Sequence, residues 1–361
     1  MSKFSEIRES LPKTLTGKPR TCAESLSGKD AMKECVPFSA DQLKIDSYQE
    51  VERISAAIRE LVFKQLRRKG VVVGLSGGID SSVVAALSVR ALGADRVFGL
   101  FMPEADSTDA SLQFGQLLAN SLGIRTALEE ITPILEAAGC YRRRDDAIKS
   151  VIPEYQEGYK SKIVLPAILE GSRYPIFSVV VQSPAGVQTK ARLTAEAYLG
   201  ILAATNFKQR TRKMMEYYHA DRLQYAVAGT PNRLEHDQGF FVKNGDGAAD
   251  LKPIAHLYKT QVYQLAEYLN VPDEILQRLP TTDTYSLQQT QEEFYFSLPY
   301  GKFDLCLYGK NHNIPAAEVA GAASLTTEQV ETVFRDIESK RHATRYLHLK
   351  PLLVDVIGEI L

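Results

Sequence analysis

Residues 71–84 read VVVGLSGGIDSSVV: a β-branched apolar run, then Ser-Gly-Gly, an acid, and two serines leading into another apolar stretch. Adjacent glycines let backbone approach a ligand closely. A turn from strand into helix exposes N–H groups where the helix dipole favours an anion. Gly77 and Gly78 would allow that approach, and Ser76, Ser81 and Ser82 would add hydroxyl donors. Asp80 is the wrong charge beside a phosphate unless a cation intervenes, which makes it a candidate Mg²⁺ ligand. The plain alternative is a tight glycine turn capped by Asp or Ser. The full order S-G-G-x-D-S, set between a strand and a helix, favours a polyphosphate. It is not the G-x-x-x-x-G-K-[ST] loop of the common nucleotide kinases.

Such a loop needs a strand before it and a helix after it. VVVGL (71–75) is too short and too β-branched for a helix and reads as a buried strand. SSVVAALSVRALG (81–93) reads as a helix stopped by glycine, and RVFGLFMP (96–103) as a second strand closed by proline. Strand, helix, strand over about thirty residues predicts a parallel βαβ unit with a right-handed crossover. Upstream, a helix begins near Ser47, which has capping-box spacing to Glu50, and the glycine of RRKG is expected to stop it. Downstream, helices are expected over 108–124, 191–219 and 257–272, with strands at 176–182 and 223–230. The expected fold is a doubly wound α/β domain on a mostly parallel sheet, with a helical C-terminal part. Residues 1–45 read as an extension and 46–361 as the folded domain. Within it, 141–190 reads as an insertion or as a decorated connection, and the residues leave both open.

The chain has 361 residues, 44% hydrophobic and 24% charged, with a formal net charge of -1. That is ample for a sizeable core. The near-zero charge gives no global reason to expect nucleic acid or an anionic membrane as partner. No apolar run reaches the length of a membrane span. The N-terminus lacks the apolar core of a secretory signal, so the expected location is the cytoplasm. Cys22, Cys35, Cys140 and Cys306 show no zinc-site spacing and read as reduced bystanders.

The glycine loop resembles the pyrophosphate loop of the ATP pyrophosphatases, enzymes in which ATP adenylates a substrate oxygen and a nucleophile then displaces AMP. A second stretch, GTPNRLEHDQGFFVKNGDGAADLKPIAHLYKTQV (229–262), is similar to NAD synthetases: G-T-x-N-x-x-E, G-[YF]-x-x-K-x-G-D, then P-I-x-x-L-x-K-x-Q. NFKQRTR (206–212) resembles the family's N-x-x-x-R-x-R. The resemblance covers roughly residues 46–345 and is weak across 141–190. It implies a Rossmann-like fold of the adenine nucleotide alpha-hydrolase type and amidation of deamido-NAD to NAD by ATP and ammonia. By position, it implies ATP contacts at Gly74, Ser76, Gly77, Gly78, Asp80, Ser81, Ser82, Thr230, Lys259 and Thr281. Asp80, Glu235 and Lys259 would be catalytic, with Asp80 and Glu235 holding Mg²⁺. Arg210, Lys243, Asp250 and Lys340 would bind deamido-NAD. It also implies a homodimer.

Two places depart from the family pattern. Gln291 stands where an Asp is expected, and no arginine follows Pro103. About 45 residues before the domain cannot hold a cysteine-nucleophile amidase, so ammonia is expected to arrive free or from a separate glutaminase. Rival readings are an amide synthetase for another carboxylate, a tRNA-modifying ATP pyrophosphatase and a non-catalytic nucleotide sensor. Arg210, Lys243 and Asp250 speak against the first. The second lacks a basic surface, and the third would be expected to lose a metal acid, yet Asp80 and Glu235 are both present.

Overall fold

The computed structural model describes residues 37–164, 177–278, 285–287, 295, 298–355 and 357. The expected contacts at Thr281 and Gln291, and Cys22 and Cys35, lie outside the described residues. Helix α1 (Ser47–Arg59) leads into β1 (Val71–Gly74), α2 (Ile79–Leu92), β2 (Val97–Phe101), α3 (Asp109–Leu122) and β3 (Arg125–Leu128). Short helices α4 (Thr132–Ala137) and α5 (Cys140–Lys149) follow. Strands β4 (Lys160–Val164), β5 (Ser178–Gln182) and β6 (Gln188–Arg192) precede the long α6 (Ala195–Leu223) and β7 (Ala226–Ala228). Then come α7 (Arg233–Gln238), α8 (Lys259–Tyr268), α9 (Asp273–Leu276), α10 (Tyr300–Asn311), α11 (Ala316–Ala323) and α12 (Thr327–Thr344).

The main sheet runs β3-β2-β1-β7, and every pairing in it is parallel, as the βαβ pattern predicts. Side chains alternate across it. Val71 and Val73 face one core with α1, α2 and α8, where Ile58, Val83, Leu87 and Val262 pack. Val72 faces the other core, with Leu100, Ala220 and Val227. Helices therefore cover both faces, which explains why β1 is apolar throughout. The C-terminal helices α10–α12 form a separate cluster around Phe303, Leu307, Val330 and Ile337, tied to the sheet domain through Leu234 and Tyr258. Among the described residues no helix is long and apolar enough to cross a membrane.

Some expectations are corrected. The side chain that caps α1 is Asp46, which accepts from the Gln49 N–H, in place of Ser47. The helix continues as a π-helical turn, Glu60–Gln65, and ends at Leu66, with Arg67 at φ 52. Gly70 stops nothing. It lets β1 enter close to its neighbours, since a Cβ there would lie 2.2 Å from the Arg96 carbonyl. The helix expected over 191–219 begins later, at Ala195, because residues 188–192 pair with β5. Within 141–190 lies a second, antiparallel sheet, β4-β5-β6, packed through Ile163, Val179 and Val181 onto Ile148, Ala197 and Ile201.

Candidate active site

The site lies at the carboxyl ends of β1 and β7, where an open parallel sheet leaves a crevice. After β1 the chain turns through Gly77, at φ +70, and Gly78 caps α2. Only glycine suits position 77. A Cβ there would sit 2.4 Å from the Ser111 carbonyl in a backbone region that disfavours side chains. The Gly78 N–H donates to Ser76 Oγ (3.3 Å). Ser81 and Ser82 do not point their hydroxyls outward as the sequence suggests. Each donates to the Gly78 carbonyl at 2.9 Å, the usual back-bonding of serine in a first helical turn, and Ser82 is fully buried.

After β7, Asn232 caps α7. Its Oδ1 accepts from the N–H groups of Leu234 (2.9 Å) and Glu235 (3.2 Å), while Glu235 Oε2 accepts from the Asn232 N–H (3.1 Å). This capping box fixes the Glu235 carboxylate. Asn232 Nδ2 then donates to Asp80 Oδ1 (3.0 Å), joining the two loops. Lys259, the first residue of α8, reaches back so that Nζ bonds Asp80 Oδ2. Its own helix start is held from α10, where the Asp304 carboxylate accepts from Thr260 N–H (2.8 Å) and Lys259 N–H (3.3 Å).

Lys259 is only 1% exposed, which rules out the solvated surface lysine that its sequence context alone allows. Burial works against its charge, but the Asp80 and Glu235 carboxylates outweigh burial and raise its pKa, so it stays protonated. Burial, and next the Asp80 charge, push the Glu235 carboxyl up, with Lys259 pulling it back. Two repelling carboxylates that need a cation between them suit a hard metal ion such as Mg²⁺. Among the described residues no group of three or more His, Cys, Asp or Glu forms a full protein cage.

Beside this constellation lies a cavity of about 170 Å³. Gly74, Ser76, Met102, Ser111, Arg212 and Thr230 line it, together with Glu216 and Asp246. Gly74 permits the approach of Glu216, whose Oε1 would lie 3.0 Å from a Cβ there. Lys213 pairs with Glu216 at 2.6 Å. Arg210 Nε donates to the Lys243 carbonyl (3.2 Å), so those two expected dinucleotide contacts adjoin. Lys243 Nζ itself donates to the Tyr346 carbonyl (2.8 Å). Asp250 serves the sheet, accepting from Val227 N–H (2.7 Å) and the Tyr217 hydroxyl (3.3 Å). Lys340 pairs with Asp336 (2.8 Å) and donates to the Tyr295 carbonyl (2.8 Å).

Sequence reasoning placed Asp80, Glu235 and Lys259 but passed over Asn232, which joins them. The signal was available: Asn three residues before Glu is a capping box. The loop after β2, where an arginine was expected, carries Glu104 and Asp106. Both bond the fully buried Lys208, at 2.9 and 2.6 Å, and Arg144 Nη1 also reaches Asp106 (2.5 Å).

A sequence model of the NAD synthase family matches residues 50–152 and 177–346, most of the chain. The chain belongs to this family. An NH(3)-dependent NAD(+) synthetase of Rhizobium meliloti is 61% identical over 323 residues, covering 90% of this chain and 96% of that protein. One from Thermotoga maritima is 37% identical over 257 residues, covering 71% and 85%. Among solved structures, an NH3-dependent NAD synthetase from Campylobacter jejuni superposes with a TM-score of 0.56 at 23% identity, covering 86% of this chain and all of that one. An NMN synthetase from Francisella tularensis gives 0.58 at 21%, covering 87% of this chain and all of that one. At such identities these two speak for the fold alone. The NAD synthase match breaks between residues 152 and 177, inside the second sheet.

Proposed function

We propose that this protein is an ammonia-dependent NAD synthetase, a carbon–nitrogen ligase that converts deamido-NAD to NAD and releases AMP and pyrophosphate. The observation that carries this reading is the joined Asp80–Asn232–Glu235–Lys259 set beside the glycine loop, on a chain of this family.

The chemistry brings two anions together. The nicotinate carboxylate oxygen bonds the α-phosphorus of ATP as the bond to pyrophosphate breaks. Ammonia nitrogen then bonds the acyl carbon, and AMP leaves with the carboxylate oxygen. The chain's part is positioning and electrostatics. The backbone of loop 74–78, the Ser76 hydroxyl and Thr230 hold ATP, with Thr281 as a further contact, while Ser81 and Ser82 shape the loop by holding the Gly78 carbonyl. The charged Lys259 ammonium passes from Asp80 to a phosphate oxygen. Asp80 and Glu235 would hold Mg²⁺, which when bound neutralises phosphate charge. Arg210, Lys243, Asp250 and Lys340 hold the dinucleotide, the first two from adjacent positions.

We assign residues 1–45 to an extension and 46–361 to the catalytic unit, with 141–190 as an insertion. The family match breaks only over residues 153–176, so it favours an insertion narrower than 141–190. A cytoplasmic homodimer that receives free ammonia, or ammonia from a separate glutaminase, completes the reading.

The test is an assay of purified protein with ATP, Mg²⁺, ammonium and deamido-NAD, following NAD and AMP together. Equal yields are expected. No NAD from a folded, ATP-binding protein would shift the reading to an amide synthetase for another carboxylate.

A further inference from the structure

Arg278 follows α9 and lies 201 positions from the glycine loop in sequence, yet its Nη1 donates to the Gly77 carbonyl at 3.0 Å. Its Nη2 donates to Ser111 Oγ at 2.7 Å, and its guanidinium carbon lies 5.2 Å from the Phe114 ring centroid. One side chain thus clamps the loop onto the start of α3. The clamp is on the closed side of the loop: a Cβ at Gly77 would meet Ser111, Phe114 and Arg278 itself. Around Gly78 a Cβ would meet only Ser76 Oγ, at 3.3 Å. That is the open side.

A trans peptide points its C=O and N–H in opposite directions. With the Gly77 carbonyl held against Arg278, the Gly78 N–H must face the open side, where it meets Ser76 Oγ. Two consecutive glycines make this peptide the easiest in the loop to turn over. Turned over, it would present a carbonyl to a bound phosphate in place of a donor. We infer that Arg278 is a positioning residue: it locks the Gly77–Gly78 peptide in the orientation that offers N–H to pyrophosphate. The inference rests on the reading of this loop as the pyrophosphate site.

Calorimetry with magnesium pyrophosphate alone tests it, because it needs no turnover. Arg278→Gln is expected to weaken pyrophosphate binding about tenfold, the scale of a lost charge-assisted bond. Arg278→Lys should recover part of the loss, and Ser111→Ala, which removes the other anchor, should show a smaller loss. In deamido-NAD-dependent ATP–pyrophosphate exchange, the KM for ATP should rise in Arg278→Gln while that for deamido-NAD stays put. Unchanged pyrophosphate affinity in folded Arg278→Gln, or no affinity in the natural protein, overturns the inference. An equal rise in both KM values also overturns it, since a merely loosened fold would do that. Should the natural protein bind pyrophosphate yet show no exchange with deamido-NAD, the substrate reading fails and the role of Arg278 stands.

Discussion

Asn232 is the residue on which the site turns. It caps α7, orients Glu235 and donates to Asp80, so one amide serves two loops. Asn232→Ala is expected to cost about 1 kcal/mol through the lost cap. It should also weaken Mg²⁺ activation, which a metal titration of turnover would reveal; an unaltered titration would detach Asn232 from the metal acids. Asp80→Asn and Glu235→Gln should each cut turnover by about a hundredfold or more. Asp80→Asn should also lower the melting temperature, because it takes the paired carboxylate from the buried Lys259 ammonium, whereas Glu235→Gln should change it little. Near-normal rates at limiting Mg²⁺ would remove that residue from the metal site. That Asp80, Glu235 and Lys259 come together was legible from the glycine loop and, for the last two, from the family resemblance of residues 229–262. Arg278 and Asp304 were not. They act on the site across gaps of 201 and 44 or 45 positions, and nothing in their local sequence says so.

Among the elements, those with a clear period or a glycine stop were legible: β1, α2, β2 and α3 lie within a few residues of expectation. Helix α6 was harder, because its buried face carries Lys208, Lys213, Glu216 and His219 where apolar residues usually mark a core stripe. Lys208 holds the loop that lines the cavity beside the glycine loop. Lys208→Met would strand Glu104 and Asp106 without their buried ammonium, and urea unfolding should show a loss of about 3–5 kcal/mol. A loss under 1 kcal/mol would mean that the network is not a unit. Helix α1 offers a pH test. Burial pushes the Glu50 carboxyl up, but bonds from Arg53 and His256 outweigh it and hold the pKa at about 2, below the ordinary 4.5. A depressed carboxyl pKa stabilises above the ordinary value and loses that stabilisation as pH falls through the lower one. Glu50→Gln should therefore cost about 1 kcal/mol at neutral pH, discounted for the exposure of the pair. The gap between variant and natural protein should close between about pH 4.5 and 2 in melting curves.

At the scale of the whole molecule, the long helix α6 spans the two sheets. The order of strands and helices made the parallel sheet legible, whereas the antiparallel sheet was seen only as one strand in a region of mixed pattern. Edge strands β4 and β6 are short and carry Lys160, Lys162, Gln188 and Lys190 among their few apolar positions, so alternation is weak there. Its core closes with Ile148 of α5, Ile152 and Tyr155 as well as with Ala197 and Ile201 at the front of α6. That helix runs 29 residues, about 43 Å, from the second sheet past Arg210, Arg212 and Glu216 to the end of the first. It behaves as a splined shaft. One residue inserted between Ile201 and Lys208 would turn the second sheet by about 100° relative to the cavity beside the glycine loop. A whole-turn insertion there should instead keep the facing of the sheet and shift it along the axis.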